Sequence, residues 1–111
     1  MIDVRCSVIA VAAALLLAGS SHAAEQDQGK IVFGQWCSAC HAAGPRYPGT
    51  FALDTRYGGQ MPAALEARTD LSPDIVKYFV RNGVQTMPFF RKTEISDSDL
   101  DALAAYLSAK K

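Results

Sequence analysis

Apolar and polar positions recur with helical spacing in the C-terminal part of the chain and predict two amphipathic helices. The first begins at Ser72, whose hydroxyl can accept from unpaired amides, and ends at Asn82-Gly83, where a left-handed residue is needed. Its apolar side comprises Ile75, Val76, Phe79 and Val80. The second begins at Ser96, with Asp99 placed as in a capping box. Its apolar side comprises Leu100, Leu103, Ala104 and Leu107.

A third helix and a long irregular segment are predicted before these two. Asp27 can cap a helix over about 27–36, with Ile31, Val32 and Phe33 on its apolar side. Pairs of Gly and Pro recur from 43 to 70 and mark turns, with room for a short helix within 63–68. Because no alternating strand pattern appears, the fold class is predicted to be all-α, with three to four short helices in one domain.

The first 23 residues have the parts of a secretory signal peptide. Arg5 supplies the positive start, an apolar stretch covers 8–17, and small residues precede a cut after Ala23 or Ala24. The stretch is too short for a comfortable membrane span, although an uncleaved anchor is the alternative. We therefore expect a periplasmic protein that consists of a domain over 24–111 and has no stable span after cleavage.

Charge and size narrow the classes of function. The chain has 11 basic and 11 acidic residues and no basic run, which argues against nucleic acid or an anionic membrane as partner. A domain as small as 24–111 buries little apolar surface by itself, and small exported domains often need a covalent staple or a metal. A covalently bound cofactor would meet that need.

Residues Cys37-Ser38-Ala39-Cys40-His41 spell CxxCH, the attachment motif of a c-type haem. Two thiols on one helical turn can form thioethers, and the adjacent imidazole can bind the iron. A thioredoxin-like thiol pair would need a βαβ context, and a zinc site would lack its fourth ligand. The motif therefore predicts one covalent haem c, held by Cys37, Cys40 and His41.

The second axial ligand is predicted to be Met87. Met61 is the alternative, and both methionines precede a proline, but Met87 follows a well-terminated helix in a short turn. Ligation by His41 and Met87 would leave no iron position open and would raise the reduction potential. These properties suit a one-electron carrier, whereas a haem enzyme or gas sensor would need an open position.

Several other side chains are candidates for supporting roles. Pro45 and Pro48 can each offer a backbone carbonyl to the second nitrogen of His41, and the choice between them stays open. Arg56 and Arg68 can pair with haem propionates. Trp36 and Tyr57 can pack on the haem edge or in the core. The consecutive Phe89 and Phe90 are not both expected to be buried, so one of them can contribute to a docking surface.

Gly29 and Phe33 on the first helix, with Leu103 and Tyr106 on the last, resemble the crossing of terminal helices in class I monohaem cytochromes c. The resemblance covers the whole of 24–111 and implies a fold wrapped around one haem. The stretch 74–83 and the following Met87-Pro88-Phe89-Phe90 also resemble the cytochrome subunits of p-cresol methylhydroxylase and eugenol hydroxylase, although 47–68 is longer than expected for them. That resemblance implies a flavin-dependent, phenol-oxidising dehydrogenase as redox partner. A free shuttle to a terminal oxidase is the alternative.

Overall fold

The computed structural model describes the backbone of residues 4–109 and the side chains of 19–109. Its helices are α1 (Val4–Trp36), α2 (Ser38–His41), α3 (Pro48–Tyr57), α4 (Pro73–Asn82) and α5 (Asp97–Ser108), and Leu65–Ala67 form a 3₁₀ turn. The described backbone contains no β-strand, only an isolated bridge between Val84 and Met87. The all-α prediction is therefore confirmed, with more helices than the three to four expected.

The first helix begins far earlier than predicted. Asp27 lies inside α1 and does not cap it, because the helix is continuous from Val4 to Trp36. The preceding Ala23, Ala24 and Glu25 are good helix formers, so nothing stops the helix there. The predicted cleavage position lies within α1, and the side chains of Arg5 and of 8–17 lie outside the described residues. No helix in the described part of the chain is long and apolar enough to cross a membrane.

The prediction of a segment without regular structure over 43–70 was wrong, because α3 forms inside it. Pro48 occupies the first turn of α3, and Gly58 ends the helix with a left-handed φ of 57°. Proline at the start and glycine just after the end are helix signals as well as turn signals. The 3₁₀ turn lies within the predicted 63–68 stretch.

The two C-terminal helices begin where their caps predict. The hydroxyl of Ser72 accepts from the amide of Ile75 at 3.3 Å, and the hydroxyl of Ser96 accepts from the amide of Asp99 at 3.1 Å. All four predicted apolar residues of α5 are buried. On α4, Val76 and Val80 are buried, whereas Ile75 and Phe79 remain 45% and 38% exposed. The apolar side of α4 is thus split, and only one row packs against α5.

The core forms where α1 crosses α5. Val32 and Phe33 of α1 pack with the buried residues of α4 and α5, and Leu103 at the centre is fully buried. Burying a side chain of this size contributes about 1.5–3 kcal/mol. The ring centroids of Phe33 and Tyr106 lie 6.3 Å apart. The side-chain amide of Gln28 donates to the carboxylate of Asp99 at 3.0 Å.

Gly29 lets the two backbones approach at this crossing. A Cβ on Gly29 would collide with the carbonyl oxygen of Ala102 and the Cβ of Tyr106, and would lie 2.9 Å from the Ala102 carbonyl carbon. Backbone atoms cannot swing aside as a flexible side chain can. Any residue larger than glycine therefore forces α1 and α5 apart.

We predict that Gly29→Ala lowers the free energy of unfolding by about 1–3 kcal/mol, because the added methyl overpacks the crossing. Gly34→Ala is the matched control, since Gly34 lies on the same helix with nothing within 4 Å of an added Cβ. It should stabilise the protein by about 0.5–1 kcal/mol through helix propensity. Denaturant unfolding measures both, and equal stabilities for the two variants would contradict the close approach.

Candidate functional site

The two thiols and the imidazole of the CxxCH motif lie on one helical turn. The amides of Cys40 and His41 both donate to the carbonyl of Cys37, at 3.1 and 2.9 Å. The hydroxyl of Ser38 donates to the Gly34 carbonyl at 2.7 Å, so α2 continues almost directly from α1. The helix that crosses α5 thereby delivers all three groups together.

Helix α3 supports this turn from the other side. The buried Thr50 donates its hydroxyl proton to the carbonyl of Ala42 at 2.7 Å. A Cβ on the adjacent Gly49 would lie 2.7 Å from Cε1 and 2.9 Å from Nδ1 of His41, and 2.8 Å from the carbonyl of Cys40. The His41 ring therefore packs directly on the α3 backbone. In the sequence, Pro48-Gly49 marks a turn and Pro48 is a candidate to offer a carbonyl to His41, but no local signal indicates that Gly49 packs against the His41 ring.

The Nδ1 atom of His41 is buried and has no hydrogen-bond partner in the structure. The expectation that Pro45 or Pro48 supplies a carbonyl to this nitrogen is therefore not met, since α3 places Gly49 against it. Burial lowers the pKa of His41 below its usual value. The imidazole is accordingly neutral at physiological pH, the form that binds a metal.

The two cysteines are free and differ in exposure, with Cys37 half-buried and Cys40 exposed. Burial, with a smaller contribution from the neighbouring Cys40 sulfur, raises the pKa of the Cys37 thiol to about 11. Redox-active CxxC pairs work in the opposite way, because they depend on a thiol with a lowered pKa. The electrostatics of this turn thus argue against a thioredoxin-like site.

Met87 lies at the end of a tight reverse turn. Val84 and Met87 exchange both backbone hydrogen bonds, at 3.1 and 2.9 Å. Gln85 carries a positive φ of 52° and is the only such residue besides glycine in the described chain. A Cβ on Gly83 would lie 2.6 Å from the Met87 carbonyl oxygen and 2.9 Å from the Phe89 nitrogen. Gly83 thus ends α4 and lets the Met87 backbone fold against it.

A ring contact joins the CxxCH turn to residues 83–96 between α4 and α5, here called the Met87 loop. Trp36, next to Cys37, packs edge-on against Phe90 with ring centroids 5.9 Å apart. Phe89 is 60% exposed and Phe90 is half-buried, so the two phenylalanines are not both buried, as expected. Met87 is half-buried, and the alternative Met61 is 37% exposed and follows α3.

Arg68 is already committed to neighbours within the protein. Its guanidinium forms two hydrogen bonds with the carboxylate of Asp70, at 2.9 and 2.6 Å, and donates to the hydroxyl of Tyr57 at 2.9 Å. The hydrogen bonds with Asp70, the largest cause, raise the pKa of Arg68, and the same bonds lower the pKa of Asp70. Arg56 is exposed in the last turn of α3. Neither arginine is therefore shown to face a propionate.

Two comparisons with known proteins agree on the family. The family model described as cytochrome c oxidase, cbb3-type, subunit III matches residues 24–107. Cytochrome c6 of Cyanidioschyzon merolae is 34% identical over 91 residues, which cover 79% of this chain and 77% of the relative. No solved structure matches the chain significantly.

The chain therefore belongs to the class I monohaem cytochromes c. Its cofactor is a covalently attached haem c, and it is an electron-transfer protein and not an enzyme. These matches do not support the resemblance to the flavocytochrome subunits. The match to the family model, over 24–107, covers nearly all of the domain predicted over 24–111.

The residues present fit a haem. The CxxCH turn offers two thiols and a neutral imidazole whose Nδ1 is buried, and Met87 adds a thioether in a defined turn. Large apolar side chains are exposed on α3, on α4 and in the Met87 loop, where an apolar macrocycle could cover them: Phe51, Ile75, Phe79, Val84 and Phe89. Exposed apolar groups on these elements are compatible with an apolar cofactor that would cover them.

We predict that Gly49→Ala displaces the His41 ring or the Cys40 carbonyl, because the methyl has no room between them. The proton resonances of the His41 ring in the reduced, haem-loaded protein should shift, and the free energy of unfolding should fall by about 1–3 kcal/mol. Gly34→Ala again serves as control, because it adds a methyl near α2 without a contact. Unchanged His41 resonances would refute the packing of this ring on α3.

Proposed function

We propose that this cytochrome c is an exported one-electron carrier in which Cys37 and Cys40 attach the haem and His41 and Met87 bind its iron. The observation that carries the proposal is the single helical turn with two thiols and a neutral imidazole. The tightly folded Met87 loop supports the assignment of Met87 as the second side chain that binds the iron. When bound, haem c supplies an iron that gains and loses one electron.

Each of these residues has a distinct task. The half-buried Cys37 and the exposed Cys40 would hold the group covalently through two thioethers. His41 remains neutral because burial lowers its pKa, so it can bind without first losing a proton. Met87 would supply a thioether to the iron, which would favour the reduced state. An iron bound by both His41 and Met87 would have no place for oxygen or peroxide, which suits electron transfer and not catalysis.

The location proposed for the protein is the periplasm. The proposal rests on the signal-like segment 1–23 and on the motif, since haem attachment to CxxCH fits an exported protein. Cleavage after Ala23 or Ala24 would cut α1 well before Gly29, so the crossing with α5 would be kept. An equal number of acidic and basic residues in the chain gives no long-range preference for a charged partner.

The partner proposed first is a flavin-dependent dehydrogenase that oxidises phenols. It rests on the resemblance of the α4 segment and the Met87 loop to flavocytochrome subunits, and the exposed Phe89 beside Met87 offers an apolar contact. The second candidate is a free electron shuttle, which the similarity to a cytochrome c6 favours. The two candidates differ in the stability of the complex that they form.

We predict that Met87→Ala opens the iron. The ferric protein should lose its sulfur-to-iron charge-transfer band, the reduced protein should bind carbon monoxide rapidly, and the reduction potential should fall. Met61→Ala is the matched control, because it removes the other methionine that precedes a proline. If Met61→Ala opens the iron and Met87→Ala does not, the ligand assignment is wrong.

We predict that affinity-tagged, haem-loaded protein isolated from the periplasm retains a flavoprotein dehydrogenase through size-exclusion chromatography. The measurements are flavin absorbance in the cytochrome peak and the ratio of flavin to haem. A cytochrome that elutes alone, yet is reduced and reoxidised by periplasmic extracts, would support the shuttle and contradict a stable subunit.

A further inference from the structure

Arg81, in the last turn of α4, holds the segment that follows Met87. One guanidinium nitrogen, Nη1, donates to the backbone carbonyls of Phe90 and Ile95, at 3.1 and 2.9 Å. The other, Nη2, donates to the carboxylate of Asp97 at 2.9 Å. A single side chain thus contacts both ends of the stretch 90–97, whose last residue is the first of α5.

These contacts differ from an ordinary surface ion pair. Two of the three acceptors are backbone carbonyls, so they constrain the path of the chain and not only a side chain. The side chain of Arg81 is 22% exposed, and Ile95 is fully buried. Charge-assisted hydrogen bonds with this little solvent contact are stronger than exposed ones. By contrast, Lys77 and Asp101 pair at 2.6 Å with both side chains largely exposed.

The same contacts set the position of the Met87 loop. The amide of Phe90 donates to the carbonyl of Val80 at 2.7 Å, so both backbone groups of Phe90 bind the end of α4. Gly83 backs the loop from its other end, against Met87 and Phe89. Met87 therefore lies on a short bridge between two attachments to α4. Without Arg81, the backbone of Phe90 would keep only its bond to Val80, and the methionine would be held less firmly.

We infer that Arg81 is a positioning residue for Met87, which keeps the thioether on the iron by fixing the loop at Phe90 and Ile95. The inference rests on the proposed function, because it requires Met87 to be an axial ligand. Arg81 itself has no contact with the iron in this assignment. It acts by reducing the population in which the loop is open.

Lysine can replace arginine in this role only in part. A guanidinium presents several N–H donors in a rigid plane and can serve three acceptors that lie in different directions. An ammonium is a compact charge on a flexible stem and would keep the ion pair with Asp97 more readily than both carbonyls. The carboxylate of Asp97 also pairs with Lys92 at 2.8 Å, so Arg81 is only one of its two partners. The carbonyl contacts, more than the ion pair, are expected to hold the loop.

The test measures how readily imidazole displaces Met87 from the ferric, haem-loaded protein. Apparent affinity for imidazole rises in proportion to the open population. Losing the charge-assisted bonds in Arg81→Gln should tighten imidazole binding about ten- to a hundredfold, with early loss of the sulfur-to-iron band during urea titration. Arg81→Lys should give a smaller change of the same sign, and it serves as the test if Arg81→Gln does not fold.

Two controls separate positioning from general destabilisation. Lys77→Gln removes an exposed ion pair on the same helix and should leave imidazole affinity unchanged. Tyr106→Phe removes the hydrogen bond to Glu66, which lies away from the loop, so it lowers global stability while its imidazole affinity should stay near that of the unmodified protein. The inference is overturned if both Arg81 variants bind imidazole as the unmodified protein does, or if Tyr106→Phe tightens binding as much as they do.

Failure of the proposed function gives a different result. If Met87→Ala leaves both the sulfur-to-iron band and the imidazole affinity unchanged, Met87 is not a ligand and both proposals fail. If Met87→Ala removes the band and tightens binding while the Arg81 variants do nothing, only the positioning role fails.

Discussion

The close approach of α1 and α5 at Gly29 is the constraint on which the rest of the structure depends. Because the helices touch backbone to backbone there, their relative angle is set by main-chain atoms. Cys37 directly follows α1, and the buried residues of α4 pack against α5. One crossing therefore orients both the turn that carries His41 and the helix that leads to Met87.

The CxxCH turn and the Met87 loop are supported by different helices. The CxxCH turn is supported by α3 through Gly49 and Thr50. The Met87 loop is supported by α4, and the contact between Trp36 and Phe90 joins them. A group bound to both halves would connect them further. This arrangement shows how a small domain can support the CxxCH turn and the Met87 loop with different helices and leave apolar surface for the cofactor.

The segment between α3 and α4 is tied to the rest of the domain by polar contacts. The hydroxyl of Tyr106 on α5 donates to the carboxylate of Glu66 in the 3₁₀ turn. Burial, followed by this hydrogen bond, raises the pKa of Tyr106 to about 12, so its hydroxyl remains a donor at all physiological pH values. Two residues after Glu66, the guanidinium of Arg68 binds the carboxylate of Asp70 and the hydroxyl of Tyr57. Side-chain bonds thus order a stretch that buries little apolar surface.

Local signals in the sequence determined the all-α class, both C-terminal helices and the chemistry of the CxxCH turn. Caps such as Ser72 and Ser96 and the apolar period of α5 act between near neighbours, so they can be recognised without a fold. The family resemblance also depended on few residues, with Gly29 among them. Met87 was selected by its place after a terminated helix, which is likewise local information.

Only the tertiary structure decided the features that depend on residues far apart in the chain. Pro48 and Gly58 could mark turns or helix ends, and packing of α3 against α2 resolved that ambiguity. The same packing put Gly49, and no proline carbonyl, against His41. The contacts of Arg81 with Phe90, Ile95 and Asp97 depend on how the loop returns to α4. The hydrophobic period shows which face of a helix is apolar, but it cannot show what covers each part of that face. Ile75 and Phe79 lie on the apolar side of α4 and yet remain exposed.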